Sequence, residues 1–334
     1  MTGAHRGDDD ERVFVEAPAR LHFGVLDLRG SLGRWFGGIG AAAPAPTMLV
    51  SARRADTLEV DGMDADRAAD VADRVLAYYG VKQGVCVCVH RALPQHAGLG
   101  SGTQLALAVG RAVAELHSLP TEAPALARAA GRGGRSAVGT WTFAGGGLVV
   151  EGGRRAAPSP AETVGPLLAR LPFPPAWRCV VAVPDSRSGI SGAAEAAAFA
   201  ELPFPPDHEV ERVAHLVLLG LLPALVDGDL AAFGSALTAI QAMNGRWFAP
   251  VQGGTFAPGP SEELVTRMIE WGAAGAGQSS WGPAVYGVVQ GEERGLLLAE
   301  RVGSVLGGHG AVYEGPFRTD GARVWRNSSL NSQV

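Results

Sequence analysis

Apolar residues occur along this chain both in short continuous runs and at helical spacing, a pattern typical of a protein with strands and helices. The runs predict strands at residues 13–15, 21–28, 47–51, 58–60, 85–89, 148–151, 178–183, 284–289 and 311–314. Helical spacing predicts helices at residues 64–79, 105–116, 122–130, 207–225, 229–247, 261–271 and 292–306. Pro18 is expected to separate the first two strands. The pattern indicates an α+β fold in which helices cover one face of the second sheet, with the tail after Arg323 frayed.

The glycine-rich stretch Pro94–Gln104 lies between the predicted strand 85–89 and the helix that follows it. Glycines allow the backbone to approach a ligand closely, and Ser101 or Thr103 is expected to cap the helix. Backbone N–H groups at a helix N-terminus favour a phosphate or pyrophosphate group. The alternative is a capped turn that binds nothing. The phosphate-binding candidates are Gly98, Gly100, Ser101, Gly102, Thr103 and Gln104.

Polar side chains interrupt the apolar strand that follows Pro18. Arg20, His22 and Asp27 are costly to bury without partners. Arg20 and His22 lie two residues apart, so both can point from one face of the strand into a cleft. An exposed edge strand with scattered charges is the alternative.

Three further segments carry polar or glycine-rich sequences where loops are expected. Gly30–Gly40 is predicted to fold over a ligand, and Gly131–Gly147 offers two arginines for an anion. Pro184–Gly192 follows a strand and precedes a helix, where either chemistry or an ordinary turn with an N-cap is expected. Asp207 and Asp229 are expected to cap helices, with Pro223 kinking the first. Asn244, Arg246 and Trp247 end the second and are candidates to face the cleft.

Composition and charge narrow the class of protein. The net charge is −5 and no basic cluster is present, which argues against a nucleic-acid surface. No apolar run reaches the ~18 residues that a membrane span needs. Three cysteines without zinc-site spacing indicate reduced thiols in a cytoplasmic protein. A domain boundary is expected between residues 13–172 and 173–334, after a disordered lead-in at residues 1–12.

The glycine-rich stretch resembles the second motif of the GHMP kinase superfamily. Further segments resemble one branch of it, the β-ribofuranosylaminobenzene 5′-phosphate synthases. The segments that carry this resemblance are Arg20–Leu28, Gly33–Gly40, Gly98–Gln104, Gly131–Gly133, Val138–Thr140, Gly277–Pro283 and Tyr286–Gly287. The resemblance implies an N-terminal domain like ribosomal protein S5 domain 2 and a ferredoxin-like C-terminal domain. It also implies small-molecule substrates and a homodimer.

The resemblance further implies transfer of ribose 5-phosphate from phosphoribosyl pyrophosphate to 4-aminobenzoate or 4-hydroxybenzoate, with loss of CO₂ and pyrophosphate. Mg²⁺ is expected with the donor, although the sequence does not indicate its ligands. The catalytic candidates are Arg20, His22 and Asp185, and the substrate-binding candidates are Asp27, Arg187, Ser191, Gly277, Gln278 and Ser279. The alternative is an ATP-dependent small-molecule kinase of the same superfamily. The 131–147 loop has no Asp, Glu or Lys, and Lys82 is the only lysine of the chain, which counts against a kinase.

Overall fold

The protein's structure, a computed structural model, describes residues 11–156, 164–185 and 192–327. Strands β1–β12 in these ranges are Arg12–Asp27, Arg34–Ala55, Glu59–Gly62, Gly84–Arg91, Leu148–Glu151, Arg154–Arg155, Leu167–Leu171, Trp177–Pro184, Gly275–Gln278, Val285–Gln290, Gly310–Pro316 and Arg323–Asn327. Helices α1–α10 are Ala65–Tyr79, Ser101–Leu116, Ala123–Ala129, Val138–Gly145, Gly192–Glu201, Asp207–Leu216, Leu222–Asp227, Leu230–Gln252, Pro260–Glu270 and Glu292–Leu306. A π-helical segment, Val217–Leu221, joins α6 to α7.

The first sheet has the order β12-β1-β2-β4-β3, and β5 pairs with β2 on the same sheet. Its long antiparallel pair β1–β2 contradicts the expected break at Pro18, since β1 continues through this residue. A proline has no N–H to donate, and the pairing register shifts between Pro18 and Arg20 to accommodate it. The expected loop over residues 30–40 is also wrong from Arg34 onward, because these residues form β2.

The second sheet has the order β11-β8-β10-β9 and is entirely antiparallel. Helices α9 and α10 pack on one of its faces, as in a ferredoxin-like βαββαβ unit. The predicted helical layer on one face is therefore present, and a further helix lies on the opposite face. The other face packs on α8 and β1, where Trp177 lies 5.0 Å from Phe233 and Tyr286 lies 4.8 Å from Phe23 between ring centroids.

The residues after Arg323 return to the first sheet as β12, which pairs with β1, so the expected fraying is wrong as far as Asn327. Two side chains on the same face of β12 contact β1. Trp325 stacks on Phe14 with ring centroids 5.4 Å apart, and Arg323 pairs with Glu16.

The predicted helix 207–225 is divided into α6, the π-helical segment and α7. Asp207 does not cap it. The N-cap is Pro206, and the Asp207 carboxylate pairs instead with Arg29 Nε at 2.5 Å. Asp229 caps α8 as predicted, since its Oδ1 accepts from Ala232 N at 2.9 Å. None of the helices in the described ranges is long and apolar enough to cross a membrane.

Candidate active site

The glycine-rich turn connects β4 to α2, as the sequence predicts. Gly98 and Gly100 adopt left-handed φ values of 79° and 75°, which a residue with a side chain rarely tolerates. Gly100 is the N-cap of α2, so the prediction that Ser101 or Thr103 caps this helix is wrong. The left-handed backbone at Gly100 places its carbonyl to accept from Thr103 N and Gln104 N, each at 3.0 Å.

Two distant segments hold the turn in place. Arg20 N donates to Leu99 O at 3.1 Å, and Arg20 Nη1 donates to Gly98 O at 2.5 Å. From the other side, Ser279 Oγ donates to the same Gly98 carbonyl at 2.6 Å and accepts from His22 N at 2.9 Å. The turn, the Arg20–His22 segment of β1 and the residue after β9 therefore form one hydrogen-bonded unit.

The open side of the turn faces a polar cavity, here called the arginine cavity, which Arg67, Arg132 and Arg135 line together with the turn. A Cβ on Gly102 would lie 3.2 Å from Arg67 Nη2 and 3.6 Å from Arg132 Nη1, so both guanidinium groups lie over the first turn of α2. Arg132 Nε and Arg135 Nη1 are buried and have no hydrogen-bond partner among the described residues. Burial, and then the positive charges of Arg67 and Arg74, lower the pKa of Arg132. Arg67 pairs with Asp64, but guanidinium groups with unsatisfied donors beside the N–H groups at the start of α2 still form a site for an anion such as phosphate.

A second cavity adjoins the first and has an apolar, aromatic character; we call it the aromatic cavity. Four of its lining residues form a connected ring cluster. Centroid distances are 5.3 Å from Phe36 to Phe199, 5.5 Å from Phe199 to Trp281 and 4.8 Å from Phe248 to Trp281. Edge-to-face contacts dominate these pairs, which leaves aromatic edges and faces for a planar ligand.

The two cavities share a wall. Its residues are Arg20, Arg135, Ser136, Glu195, Ser280 and Trp281. Glu195 is the only carboxylate that lines either cavity within the described residues, and its Oε2 lies 3.1 Å from Arg135 Nη2. The two cavities therefore meet at Arg20, Glu195 and Arg135.

Arg20 and His22 differ in charge although they lie on one face of β1. Burial lowers the pKa of Arg20 to about 10, against the opposing effect of Glu195, so this guanidinium stays charged at neutral pH. Burial, and then the charge of Arg20, lower the pKa of His22 to about 3. His22 is thus a neutral imidazole that can donate or accept a hydrogen bond but contributes no positive charge.

The structure brings most of the predicted residues to this unit. Gln278 lines the aromatic cavity, and its side chain is held by Gln252 Oε1 at 2.8 Å and by Ala257 N at 2.6 Å. Gly277 gives Gln241 room, since a Cβ there would lie 2.5 Å from Gln241 Cδ. Gly98, Gly100, Ser101, Gly102 and Thr103 line the arginine cavity.

Other predicted residues lie elsewhere. Gln104 is buried, and its Nε2 donates to Gly139 O at 3.0 Å, which ties α2 to α4. The Asp27 carboxylate closes the turn after β1 by accepting from Arg29 N and Gly30 N. Asp185 is exposed at the end of β8 and lines neither cavity. Arg187 and Ser191 lie outside the described residues.

Of the three residues proposed at the end of the helix that is now α8, one faces the cleft. Asn244 lines the aromatic cavity and holds β1 through Val25 N at 2.5 Å. Arg246 and Trp247 do not face the cleft, because both bind Glu209 on α6.

The sequence did not single out Arg67, Glu195 or Phe199 as site residues. Each lies on a helix whose apolar spacing draws attention to the core, and only the packing of that helix shows that its other side faces a cavity. The sequence offers two weak signals for these residues. Glu195 lies in the first turn of α5, and Arg67 lies in the first turn of α1.

A divalent cation would find one carboxylate at this site, that of Glu195. Within the ranges that the structure describes, no three His, Cys, Asp or Glu side chains are grouped to hold a metal ion. Mg²⁺ is commonly bound by one or two carboxylates together with substrate phosphates and water. The residues therefore fit Mg²⁺ that arrives with a phosphorylated ligand and do not form a complete protein cage.

Comparison with known proteins agrees with this architecture. The family described as GHMP kinases N terminal domain matches residues 66–146, and the family described as GHMP kinases C terminal matches residues 221–307. A homoserine kinase from Cytophaga hutchinsonii superposes with a TM-score of 0.69 at 17% identity, over 97% of this chain and 100% of its own. A Lactococcus lactis galactokinase superposes with a TM-score of 0.68 at 13% identity, over 95% and 96% of the two chains. The fold is that of the GHMP kinases, and the chain belongs to the GHMP kinase superfamily.

Sequence relatives define a narrower group. The beta-ribofuranosylphenol 5′-phosphate synthase of Methanothermobacter thermautotrophicus is 34% identical over 313 residues, which cover 88% of this chain and 93% of the relative. The protein of the same name from Archaeoglobus fulgidus is 35% identical over 292 residues, covering 84% and 89%. Within the superfamily, the chain belongs to the family of the beta-ribofuranosylphenol 5′-phosphate synthases.

Proposed function

We propose that this protein transfers ribose 5-phosphate from phosphoribosyl pyrophosphate to the ring of a 4-substituted benzoate, with release of CO₂ and pyrophosphate. The observation that carries this proposal is the shared wall between a cationic cavity and an aromatic one. A phosphorylated sugar and a planar acid need these two environments side by side. The name of the relatives, which contains a phenol product, makes 4-hydroxybenzoate the first acceptor to test.

The donor is assigned to the arginine cavity. Backbone N–H groups at the start of α2 and the side chains of Arg67, Arg132 and Arg135 bind its phosphate oxygens. As the bond from ribose C1 to the pyrophosphate oxygen breaks, negative charge grows on the leaving group, and fixed cationic donors stabilise that charge. Mg²⁺ bound to the phosphates, with Glu195 as its protein ligand, would supply further charge neutralisation.

The acceptor is assigned to the aromatic cavity, with its ring among Phe36, Phe199, Phe248 and Trp281. Its carboxylate points to the shared wall, where Arg20 supplies the charged partner and His22 a neutral hydrogen bond. This orientation places the carboxylate-bearing ring carbon beside ribose C1. Electrostatic preference sets the same orientation, because the cationic groups lie at the wall and the rest of the cavity is lined by aromatic and amide side chains.

The reaction needs no strong general base. The ring carbon that bears the carboxylate forms a bond to ribose C1 while the pyrophosphate leaves with the electron pair of the C1–O bond. The carbon–carboxylate bond then breaks, and its electron pair restores the aromatic ring as CO₂ departs. Both cavities lack a Ser-His-Asp arrangement among their described lining residues, in agreement with this chemistry.

Two incubations distinguish this proposal from a kinase of the same fold. With phosphoribosyl pyrophosphate, Mg²⁺ and 4-hydroxybenzoate or 4-aminobenzoate, we expect a phosphorylated aryl riboside whose carbon–carbon bond resists acid hydrolysis. With ATP and candidate alcohols we expect no ADP. ADP formation coupled to a phosphorylated alcohol, without product from phosphoribosyl pyrophosphate, would favour the kinase.

A further inference from the structure

Glu151, at the end of β5, carries a fully buried carboxylate that lines neither cavity. Burying such a group is costly unless its oxygens are hydrogen-bonded. Its Oε1 accepts from Ala137 N at 3.2 Å, and its Oε2 accepts from Gly153 N at 2.7 Å. The carboxylate therefore joins the start of α4 to the end of its own strand.

One of these segments carries the donor site. Ala137 is the N-cap of α4 and directly follows Arg135 and Ser136, which line both cavities. The other segment is fixed by Arg34, whose Nε donates to Gly152 O at 2.7 Å and whose Nη2 donates to Gly153 O at 3.1 Å. Glu151 thus links the loop that carries the arginines to an anchored strand end.

The surroundings of the carboxylate leave it little room to move. A Cβ on Gly38 would lie 2.9 Å from Glu151 Oε1, and one on Gly165 would lie 2.3 Å from Oε2. The Gly38 position is also close to His22 Nε2, at 3.4 Å, and to Val138 Cγ2, at 2.7 Å. Among the residues that the structure describes, the charged or titratable groups facing Glu151 are Arg34 from β2 and neutral His22 from β1, while α4 contributes an apolar side chain.

We propose that Glu151 is a positioning residue, which holds the Gly131–Ser136 loop so that Arg132 and Arg135 point into the donor site. This inference rests on the proposed function for the identity of the donor. Burial, against the effects of the Gly153 and Ala137 N–H groups and Arg34, raises the pKa of Glu151 to about 7. A protonated carboxyl has one hydroxyl that cannot accept from an N–H in the same way, and the proton is expected on Oε1, whose contact with Ala137 N is the longer of the two. The contact with the loop therefore weakens as the pH falls through neutrality.

The test compares Glu151→Gln with the wild type. Glutamine retains one acceptor oxygen but presents a donor NH₂ in place of the other, so one backbone N–H loses its partner at every pH. We expect a roughly tenfold higher KM for phosphoribosyl pyrophosphate at pH 8, as the loss of a hydrogen bond to a charged group would give. The KM of the aromatic acid should rise less than the KM of the donor, because Arg132 lines only the arginine cavity.

Glu314→Gln is the matched control. Its carboxylate binds Arg178 at 2.6 and 2.8 Å in the second sheet and lines neither cavity. This variant should lose stability while its KM for the donor stays at the wild-type value. If Glu151→Gln has a wild-type KM for the donor at pH 8, or raises both KM values equally, the positioning role is wrong.

A measurement on the wild type keeps the inference testable if the variant does not fold. Sulfate is expected to compete with the donor for the anion site, and its own charge does not change between pH 6 and 8. A change in its inhibition constant over this range therefore reports a change in the charge of the protein. We expect sulfate to inhibit several-fold more weakly at pH 6 than at pH 8. The measurement is repeated with His96→Gln, because His96 also lines the arginine cavity. Inhibition that is constant or stronger at pH 6 overturns the inference, whereas absence of any turnover overturns only the proposed function.

Discussion

Ser279 Oγ donates a hydrogen bond to Gly98 O at 2.6 Å, although the two residues are 181 positions apart in the chain. The same oxygen accepts from His22 N at 2.9 Å. One buried hydroxyl thus connects the second sheet to both the phosphate-binding turn and the strand that carries Arg20 and His22. The site is assembled across the two sheets, and its geometry depends on their packing.

Ser279→Ala should impair both stability and activity. The substitution leaves the His22 N–H without its acceptor in a buried environment, and we expect a loss of about 1–3 kcal/mol in the free energy of unfolding. Chemical denaturation and kcat/KM for both substrates measure the two effects. Ser304→Ala, which removes a hydroxyl that contacts only Glu300 O on the exposed surface of α10, is the control and should behave as the wild type.

Gly98→Ala tests the close approach of the turn to the second sheet. A Cβ at this position would lie 2.1 Å from Ser279 O, a backbone atom, in addition to the strain of a left-handed φ of 79°. Gly228→Ala carries similar strain, with a φ of 72°, but meets no atom within 4 Å. We expect Gly228→Ala to cost about 1 kcal/mol of unfolding free energy and to leave activity intact. An equal effect of the two substitutions on kcat/KM would contradict the close contact.

Trp281→Leu should raise the KM of the aromatic acid more than the KM of the donor. It removes the ring that contacts both Phe199 and Phe248, and the loss of aromatic contact of about 0.5–1.5 kcal/mol corresponds to a KM for the acid roughly two- to tenfold higher. Trp325→Leu is the control, because Trp325 stacks on Phe14 outside both cavities. Initial-rate kinetics with each substrate varied in turn would show the effect. A larger change in the donor KM than in the acid KM would place the acceptor elsewhere.

Arg132→Gln should weaken binding of the donor selectively. The variant removes a cation whose Nε is buried without a partner in the described part of the chain, and the lost charge-assisted bond predicts a KM for phosphoribosyl pyrophosphate about tenfold higher or more. Arg301→Gln on the exposed side of α10 serves as the control for removal of one positive charge. The KM for the donor is then measured for both variants at several salt concentrations. Salt screens the general attraction between exposed charges more than a specific buried contact. The same KM in both variants would rule out Arg132 as a donor contact.

His22 and Glu151 should give opposite contributions to the pH dependence of stability. The folded pKa of His22, about 3, lies below the usual 6.5, so the unfolded chain binds the extra proton between these values and stability falls as the pH drops from 6.5 to 3. The folded pKa of Glu151, about 7, lies above the usual 4.5, so stability falls as the pH rises from 4.5 to 7. Denaturant titrations of His22→Gln and Glu151→Gln across pH 4–8 should each lose one of these slopes. Parallel profiles for both variants and the wild type would contradict the assignment.

The glycine-rich turn could be predicted from the sequence because its pattern lies within one short stretch of the chain. A strand, three alternating glycines and a helix determine where backbone N–H groups point, and the period of two puts Arg20 and His22 on one face. The expected loop is wrong from Arg34 onward because glycines in a strand resemble glycines in a turn. There, a Cβ on Gly40 would lie 2.2 Å from Leu21 O, so the glycine permits close packing of β2 against β1.

The remaining site residues depend on tertiary packing that no local pattern encodes. Glu195 and Phe199 reach the cavities only because α5 lies against them, and Arg67 only because α1 packs beside α2. Gln104 illustrates the reverse case, since it belongs to the glycine motif by sequence but turns inward to Gly139.

The most direct test is release of labelled CO₂ from carboxyl-labelled 4-hydroxybenzoate or 4-aminobenzoate, measured together with pyrophosphate. We predict that the purified protein with Mg²⁺ releases one CO₂ for each pyrophosphate, and only when phosphoribosyl pyrophosphate is present. Pyrophosphate release with retention of the label, or CO₂ release without the donor, would contradict the coupling of a cationic donor cavity to an aromatic acceptor cavity.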